Sequence, residues 1–228
     1  MGFKQSAHEV AVYRRGSVHN VLLVNVCVDD LIITGAKEQK VKVFKAQMKK
    51  AFDMSDLGLL CFYLGIEVRQ DATGIDLRQT HYAKCILELS GMTGYNPAHT
   101  PMEEKLKLSQ ESTTEVDPTH YRRLIGSLRY LVHTRPDIAF AVGYMSWFME
   151  RPTMEHLQAV KRILRYVVGT LDYGLHYGRA LDTTWFIGYC DSDLTGDVDT
   201  SKSTTGTMFF LGDCLVSWQS LKQKVVAL

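Results

Sequence analysis

Two apolar runs separated by two aspartates constrain how the first part of this chain folds. Residues 21–28 and 31–33 are rich in β-branched and aliphatic side chains, and Asp29 and Asp30 lie between them. Short runs of this kind on either side of a polar pair are typical of a β-hairpin with a tight turn. The sequence therefore predicts two antiparallel strands, with Asp29 and Asp30 forming the turn that joins them.

The adjacent carboxylates of Asp29 and Asp30 have two interpretations. Neighbouring carboxylates repel each other, and nearby burial makes their ionised forms more costly. A divalent cation removes this conflict, because hard oxygen ligands suit Mg²⁺ and Mn²⁺. Aspartate is also an ordinary turn residue with no further role. The residues alone leave both interpretations open.

The composition is that of a globular protein with enough apolar material for a core. The chain has 228 residues, of which 46% are hydrophobic and 22% charged, which suits one large domain or two small ones. The formal net charge of +1 does not indicate a nucleic-acid partner. Basic residues nevertheless cluster at helical spacing. Such clusters form either a solvated helix face or a face that contacts the phosphates of a nucleic acid. These clusters occur in residues 40–50, 122–129 and 161–165.

The cysteine pattern and the N-terminus favour an intracellular protein, in the cytoplasm or the nucleus. The five cysteines are odd in number and widely spaced, and no Cys-x-x-Cys occurs, which argues against a disulfide framework and a zinc site. The first residues carry no apolar core typical of a secretory signal. No apolar stretch reaches the roughly 18 residues of a membrane span, so we expect no membrane partner.

Hydrophobic periodicity predicts an α+β fold. Alternating patterns indicate strands at residues 8–14 and in hairpins up to residue 78, and residues 81–89 have the pattern of a short helix that Gly91 ends. Residues 96–110 have no clear period, which predicts an extended connector. Helix starts are expected at Asp117-Pro118, Arg135-Pro136 and Pro152-Thr153. After Tyr173 the hydrophobic period changes to two, which predicts further strands. Those strands are expected at residues 174–177, 185–190, 207–211 and 214–218, with a domain boundary near 178–182.

A second group of carboxylates follows the strand expected at residues 185–190. It contains Asp191, Asp193, Asp197 and Asp199. The start of this segment resembles an EF-hand loop, but its twelfth position is Lys202 instead of the required glutamate, which excludes a calcium loop. An aspartate at a strand end could hold Mg²⁺ for phosphodiester chemistry, and a polar turn is the alternative.

An ordered series of segments resembles the reverse transcriptase of Ty1/copia-type retrotransposon Pol polyproteins. The resemblance covers essentially the whole chain, and its later part resembles the start of the linked ribonuclease H domain. The reverse transcriptase segments are Gly2–Ser6, Val28–Asp30, Asp56–Gly58, Tyr63–Glu67, Tyr121–Leu131, Thr134–Ile138, His156–Leu157 and Lys161–Tyr166. The ribonuclease H segments are Gly188–Asp193, Gly196–Asp197, Ser203–Gly206 and Ser217–Trp218.

The resemblance implies three parts and a set of functional residues. Residues 1–110 would form part of the palm and the start of the thumb, 111–180 a helical thumb and connection, and 181–228 a truncated ribonuclease H-like sheet. An RNA-directed DNA polymerase of this kind uses two Mg²⁺ or Mn²⁺ ions. Asp29 would be a direct metal ligand, Asp30 its acidic neighbour, Asp191 the first ribonuclease H carboxylate and Asp193 a weaker candidate. Contacts to an RNA template or RNA–DNA hybrid would come from Gln5, Arg122, Arg123, Lys161 and Arg162.

Departures from the family pattern lead to the expectation that this chain is inactive by itself. The family carries a further metal-binding aspartate before the region of Gly2 and a ribonuclease H glutamate beyond Leu228, so we expect incomplete ligand sets and a need for the rest of the Pol polyprotein. Cys27 replaces a tyrosine, and Leu194 replaces a tryptophan. An exposed sheet edge would also favour aggregation.

Two other functions remain as alternatives to a fragment of the polymerase. The chain could be a non-catalytic remnant that binds nucleic acid through its basic helices. It could also be an interaction protein, since residues 162–165 spell the Arg-x-Leu-Arg string of secreted oomycete effectors. That string lies in the middle of an expected helix, without a signal peptide, which favours chance.

Overall fold

The computed structural model describes residues 2–110, 114–179, 185–194 and 196–226, and the chain divides into two compact units, 1–60 and 61–228. The first unit has a four-stranded antiparallel sheet whose strands follow one another in chain order. These strands are β1 (Lys4–Gln5), β2 (Val12–Arg15), β3 (Leu22–Cys27) and β4 (Asp30–Gly35), and helix α1 spans Glu38–Ala51.

Helix α1 covers one face of this sheet because its apolar residues repeat at helical spacing. Phe44 is buried against Leu22 and Val24, with Val41 and Met48 packed beside them. The lysines of α1 fall between these positions, where Lys42 pairs with Glu38 and Lys45 pairs with Asp56. The helical spacing of the basic residues at 40–50 is therefore that of one face of α1.

The second unit combines two antiparallel sheets with a group of helices. The first sheet has the order β5-β6-β7-β8 and the second the order β11-β10-β9. The helices are inserted between β7 and β8, so residues about a hundred positions apart pair in one sheet, as Asp76 does with His176. The strands are β5 (Phe62–Tyr63), β6 (Ile66–Gln70), β7 (Gly74–Arg78), β8 (Gly174–Gly178), β9 (Phe186–Ser192), β10 (Thr204–Leu211) and β11 (Cys214–Lys222). The helices are α2 (Thr80–Leu89), α3 (Pro118–Leu131), α4 (Ala139–Met145) and α5 (Met154–Val168), with short 3-10 helices at Pro136–Ile138 and Ser146–Phe148.

The predicted helix boundaries agree with the local chemistry. The Asp117 carboxylate accepts hydrogen bonds from the backbone N–H groups of Thr119 and His120, so it caps α3 ahead of Pro118. Thr153 precedes α5, and Gly169 ends it. The apolar faces of these helices pack together into one core. Its fully buried members include Tyr121, Leu124, Ile125, Leu128, Met145, Phe148, Ile163 and Leu164.

The segment Tyr63–Glu67 joins β5 and β6 to the helices. Glu67 Oε1 accepts a hydrogen bond of 2.7 Å from the backbone N–H of His81 at the start of α2. The hydroxyl of Tyr130 donates to the carbonyl of Leu64 in the turn. Gly65 has φ +76°, and a Cβ there would lie 2.7 Å from the Tyr130 hydroxyl, so both backbone and space require glycine. This family-like segment therefore has a packing role.

A buried arginine connects the ends of three helices. The guanidinium of Arg135 donates to both carboxylate oxygens of Asp137, at 2.9 and 2.7 Å, and to the carbonyl and hydroxyl oxygens of Thr170, at 2.9 and 2.6 Å. It also lies 5.7 Å from the ring of Tyr166 and 5.4 Å from that of Tyr173. Because Arg135 is only 1% exposed, these contacts replace its hydration.

Several element bounds differ from the sequence-based expectation. The first long strand begins at Val12, since Ser6 N–H donates to Val12 O and residues between them form a turn. Strands β9 to β11 extend into polar residues, because ladder hydrogen bonds need only the backbone. The connector at 96–110 has no helix or strand, as expected. A domain boundary is expected near residues 178–182. Of these, residues 180–182 lie outside the part of the chain that the structure describes.

Replacing Arg135 tests whether the hydrogen bonds of its buried guanidinium stabilise the second unit. We expect Arg135→Ala to lower the free energy of unfolding by about 3 kcal/mol, because it removes a hydrogen-bonded buried charge. Arg129→Ala, at an exposed position of α3, should change it by less than about 0.5 kcal/mol. Urea unfolding followed by far-UV circular dichroism measures both. Equal stability of the two variants would contradict a structural role for Arg135.

Candidate active site

The hairpin of β3 and β4 places the first pair of carboxylates. Cys27 and Asp30 are the last paired residues, so the two-residue turn consists of Val28 and Asp29 instead of the expected Asp29 and Asp30. Val28 has φ +55° and is 95% exposed, although β-branched residues avoid this region. Asp29 thus lies at the tip, and Asp30 begins β4 directly opposite Cys27.

The chemistry of this hairpin suits a hydrated divalent cation. Asp29 and Asp30 are both exposed, and neither carboxylate has a hydrogen-bond or ion-pair partner within the described ranges. Two adjacent hard-oxygen donors fit Mg²⁺, which keeps several waters when it binds to one or two carboxylates. Among the described residues, no group of three or more His, Cys, Asp or Glu is placed to hold a metal ion. The hairpin therefore offers two ligands.

Asp191 and Asp193 lie together on the second sheet of unit two. Both line an open cleft of about 570 Å³ between strands β9 to β11 and residues 136–140. The Asp191 carboxylate is exposed and accepts a bond of 2.8 Å from the adjacent Ser192 N–H. Asp193 Oδ1 instead accepts a bond of 2.6 Å from Thr204 N–H. A Cβ at Gly196 would lie 1.9 Å from Asp193 Oδ2, so this carboxylate is folded against a glycine.

Asp197 and Asp199 hold the loop instead of extending the acidic group. Asp197 is 2% exposed and pairs with Lys222 Nζ at 2.5 Å, while Lys222 also lies over the ring of Trp147. Burial opposes ionisation of Asp197, but bonds from Lys222 and Thr200 outweigh it and hold its pKa below the usual value. Asp199 accepts from Ser109 Oγ and Gln110 N–H. Asp191 is therefore the best-placed candidate ligand of the four.

The residues predicted to contact nucleic acid differ in how many of their polar atoms already form hydrogen bonds or ion pairs within the fold. Gln5 donates to Val10 O at 2.7 Å, and Arg122 donates to Met149 O at 2.8 Å. Arg162 donates to the Glu103 carboxylate and to the Thr100 hydroxyl, both at 3.0 Å. Arg123 and Lys161 are exposed and have no such partner in the described part of the chain. Arg123 and Lys161 are thus free to meet a phosphate, and Arg122, which among the described residues bonds only through Nε, keeps its terminal nitrogens for one.

Comparison with known proteins then decides the family. The sequence profile described as reverse transcriptase (RNA-dependent DNA polymerase) matches residues 1–104. The retrovirus-related Pol polyprotein from transposon RE1 of Arabidopsis thaliana is 39% identical over 227 residues, which is 99% of this chain and 15% of that polyprotein. An uncharacterized mitochondrial protein of the same plant is 38% identical over 202 residues, 88% of this chain and 83% of its own length. The chain belongs to the reverse transcriptases of copia-type retrotransposon Pol polyproteins.

One further relative of this copia-type chain is named as an effector protein instead of a Pol polyprotein. Secreted RxLR effector protein 161 of Plasmopara viticola is 48% identical over 109 residues, 47% of this chain and 76% of that protein. In the copia-type chain the string at residues 162–165 lies inside α5, where Arg165 Nε donates to Asn96 O. No solved structure matches the chain. None of its described helices is long and apolar enough to cross a membrane.

Motif reasoning on this reverse transcriptase sequence missed two residues that the structure brings to its sites. Lys222 neutralises Asp197 although the two are 25 positions apart, and no local pattern connects them. Tyr95 and Arg165 line a second cleft, described below. Tyr95 directly precedes the connector at 96–110, where no hydrophobic period marks it, whereas the basic cluster at 161–165 did contain Arg165.

The pH dependence of stability tests the Asp197 pair. Because the folded-state pKa of Asp197 is depressed, its contribution is present above the unfolded-state value of about 3.9 and is lost as pH falls through the folded-state pKa. We expect thermal unfolding midpoints to fall from pH 5 to pH 2.5 and to fall less in Asp197→Asn. Asp213→Asn, at an exposed position, is the matched control. Identical profiles for all three proteins would contradict the assignment.

Proposed function

We propose that the β3–β4 hairpin is the metal-binding hairpin of an RNA-directed DNA polymerase palm. The observation that carries the proposal is the pair of exposed, unpartnered carboxylates of Asp29 and Asp30 at a two-residue turn, within the part of the chain that matches the reverse transcriptase profile. The order of elements also supports a partial palm in unit one. In unit two it supports a helical thumb and connection followed by the first strands of a ribonuclease H-like sheet.

Asp29 and Asp30 would bind a divalent ion, which reverse transcriptases use. When bound, such ions stabilise the attacking and leaving oxygens of phosphoryl transfer. Asp29 would coordinate directly from the tip, where its side chain is exposed and free of other bonds. Asp30, at the start of β4, would supply the second negative charge. With two carboxylates the ion keeps most of its water, so we expect weak binding until nucleotide phosphates or further ligands complete the site.

Manganese binding tests the hairpin directly. We expect Mn²⁺ to bind the purified chain with a Kd on the order of millimolar, measured from the loss of the free-ion electron paramagnetic resonance signal. Asp29→Asn should weaken this binding at least about fivefold, because one of two charged ligands becomes neutral. Asp53→Asn, outside the hairpin, should not change it. Unchanged binding in Asp29→Asn would contradict the proposed metal site.

Asp191 would be the first carboxylate of a ribonuclease H-type site. It is exposed on β9 and lines a cleft, whereas Asp193 has one oxygen occupied by Thr204 N–H. This difference supports Asp191 as a direct ligand and Asp193 as a neighbour that holds the turn. We propose the remaining ligands of this site come from other parts of the Pol polyprotein, in keeping with the 15% of the RE1 polyprotein that this chain spans.

Nucleic-acid binding without catalysis is the second candidate function, and free basic side chains favour it. Arg123 on α3 and Lys161 on α5 are exposed and unpartnered among the described residues. An RNA template or RNA–DNA hybrid presents phosphates that such groups contact without reading sequence. This function does not depend on whether the metal sites are complete.

Salt dependence measures the phosphate contacts. We expect binding of an RNA–DNA hybrid to weaken as salt rises, and each of Arg123→Gln and Lys161→Gln to reduce the slope of log K against log salt by about 1. Arg151→Gln is the matched control, since this exposed arginine already pairs with Glu115 at 2.8 Å. Fluorescence anisotropy at four salt concentrations gives the slopes. No binding at low salt would reject this function.

A further inference from the structure

A second cleft in unit two lies between α5 and the connector and includes Lys161, one of the phosphate contacts proposed above. It has a volume of about 720 Å³, within the 300–1,000 Å³ typical of ligand sites. The connector is tied along α5 by Arg165, which donates to Asn96 O at 2.8 Å, and by Arg162, which reaches Thr100 and Glu103. These anchors leave a groove with apolar walls from Met92, Met102, Leu106 and Leu108.

The polar groups of this cleft favour an anionic ligand. Its charged lining residues are Lys161, Arg162, Arg165, Glu103 and Glu155, which leaves one net positive charge. Arg162 and Glu103 already neutralise each other, while Arg165 uses only its Nε and Lys161 has no partner among the described residues. The cleft therefore contains donors that an anion with acceptor oxygens would satisfy.

An exposed aromatic ring lies at the same cleft. Tyr95, which directly precedes the connector, lines it and is 54% exposed. The methionines beside it are adaptable apolar contacts. A ring beside cations is the arrangement by which proteins hold single-stranded nucleic acid, since every base has a face that can stack and every nucleotide has a phosphate.

We propose that this cleft binds one nucleotide of a single-stranded nucleic acid, with its base stacked on Tyr95 and its phosphate held by Lys161 and Arg165. A duplex keeps its bases stacked on one another and cannot offer one to Tyr95, so the cleft selects single strands. The inference rests on the proposed function only in assuming a nucleic-acid partner. It adds a strand preference and assigns a role to a connector that no motif marks.

The test compares strands and variants in one anisotropy assay with the full 228-residue chain. The probes are a labelled twelve-residue oligothymidylate and an RNA–DNA hybrid of equal length. We expect Tyr95→Ala to raise the Kd for oligothymidylate at least about fivefold, Tyr95→Phe to keep it within about twofold, and neither to change hybrid binding. Phe62→Ala, at an exposed aromatic residue outside both clefts, is the matched control. Circular dichroism establishes that each variant is folded.

The outcomes separate this inference from the proposed function. Equal oligothymidylate affinity in Tyr95→Ala and the unchanged chain would overturn the proposal that the cleft binds a nucleotide. Hybrid binding without oligothymidylate binding also overturns it and leaves the phosphate contacts of the helices intact. Absence of both interactions rejects nucleic-acid binding by the chain altogether. An equal loss in Tyr95→Phe and Tyr95→Ala would show that the hydroxyl acts instead of the ring, which contradicts stacking.

Discussion

The packing of the second unit depends on the buried guanidinium of Arg135. A buried charge is tolerated only when its donors are satisfied, and here Asp137 and Thr170 accept from it while two tyrosine rings flank it. Because these partners come from the start of α4 and from the residues after α5, their bonds hold three helix ends together. The position of α5 relative to α3 and α4, and hence the cleft beside the connector, follows from this node.

The residues that make the chain resemble its family divide into two physical classes. Glu67, Tyr130 and Arg135 belong to family-like segments, yet their polar atoms bond within the fold and their role is to join elements. Asp29, Asp30 and Asp191 keep exposed carboxylates, and among the described residues their one partner is the amide adjacent to Asp191. The family-like segments of this chain thus contain residues that pack the fold as well as candidate ligands.

The acidic segment after β9 shows how tertiary contacts separate side chains that look equivalent. Asp193 bonds a backbone amide across the sheet, Asp197 is buried with Lys222, and Asp199 fastens residues 109 and 110 of the connector. Each of these partners comes from a distant part of the chain. The same segment that suggested a group of metal ligands is mostly a set of anchors, and of the two carboxylates that line the cleft, Asp191 is the one not bonded to β10.

The sequence by itself determined the hairpin, the helix starts and stops, the amphipathic faces and the family, because these depend on spacing and on local chemistry such as the Asp117 cap. Only the tertiary structure decided that β8 pairs with β7 and that the turn consists of Val28 and Asp29. It also decided which basic and acidic groups are occupied and that Tyr95 shares a cleft with Lys161. The turn follows from the register of β3 against β4, whereas the other features depend on contacts between residues far apart in the chain, about which local periodicity contains no information.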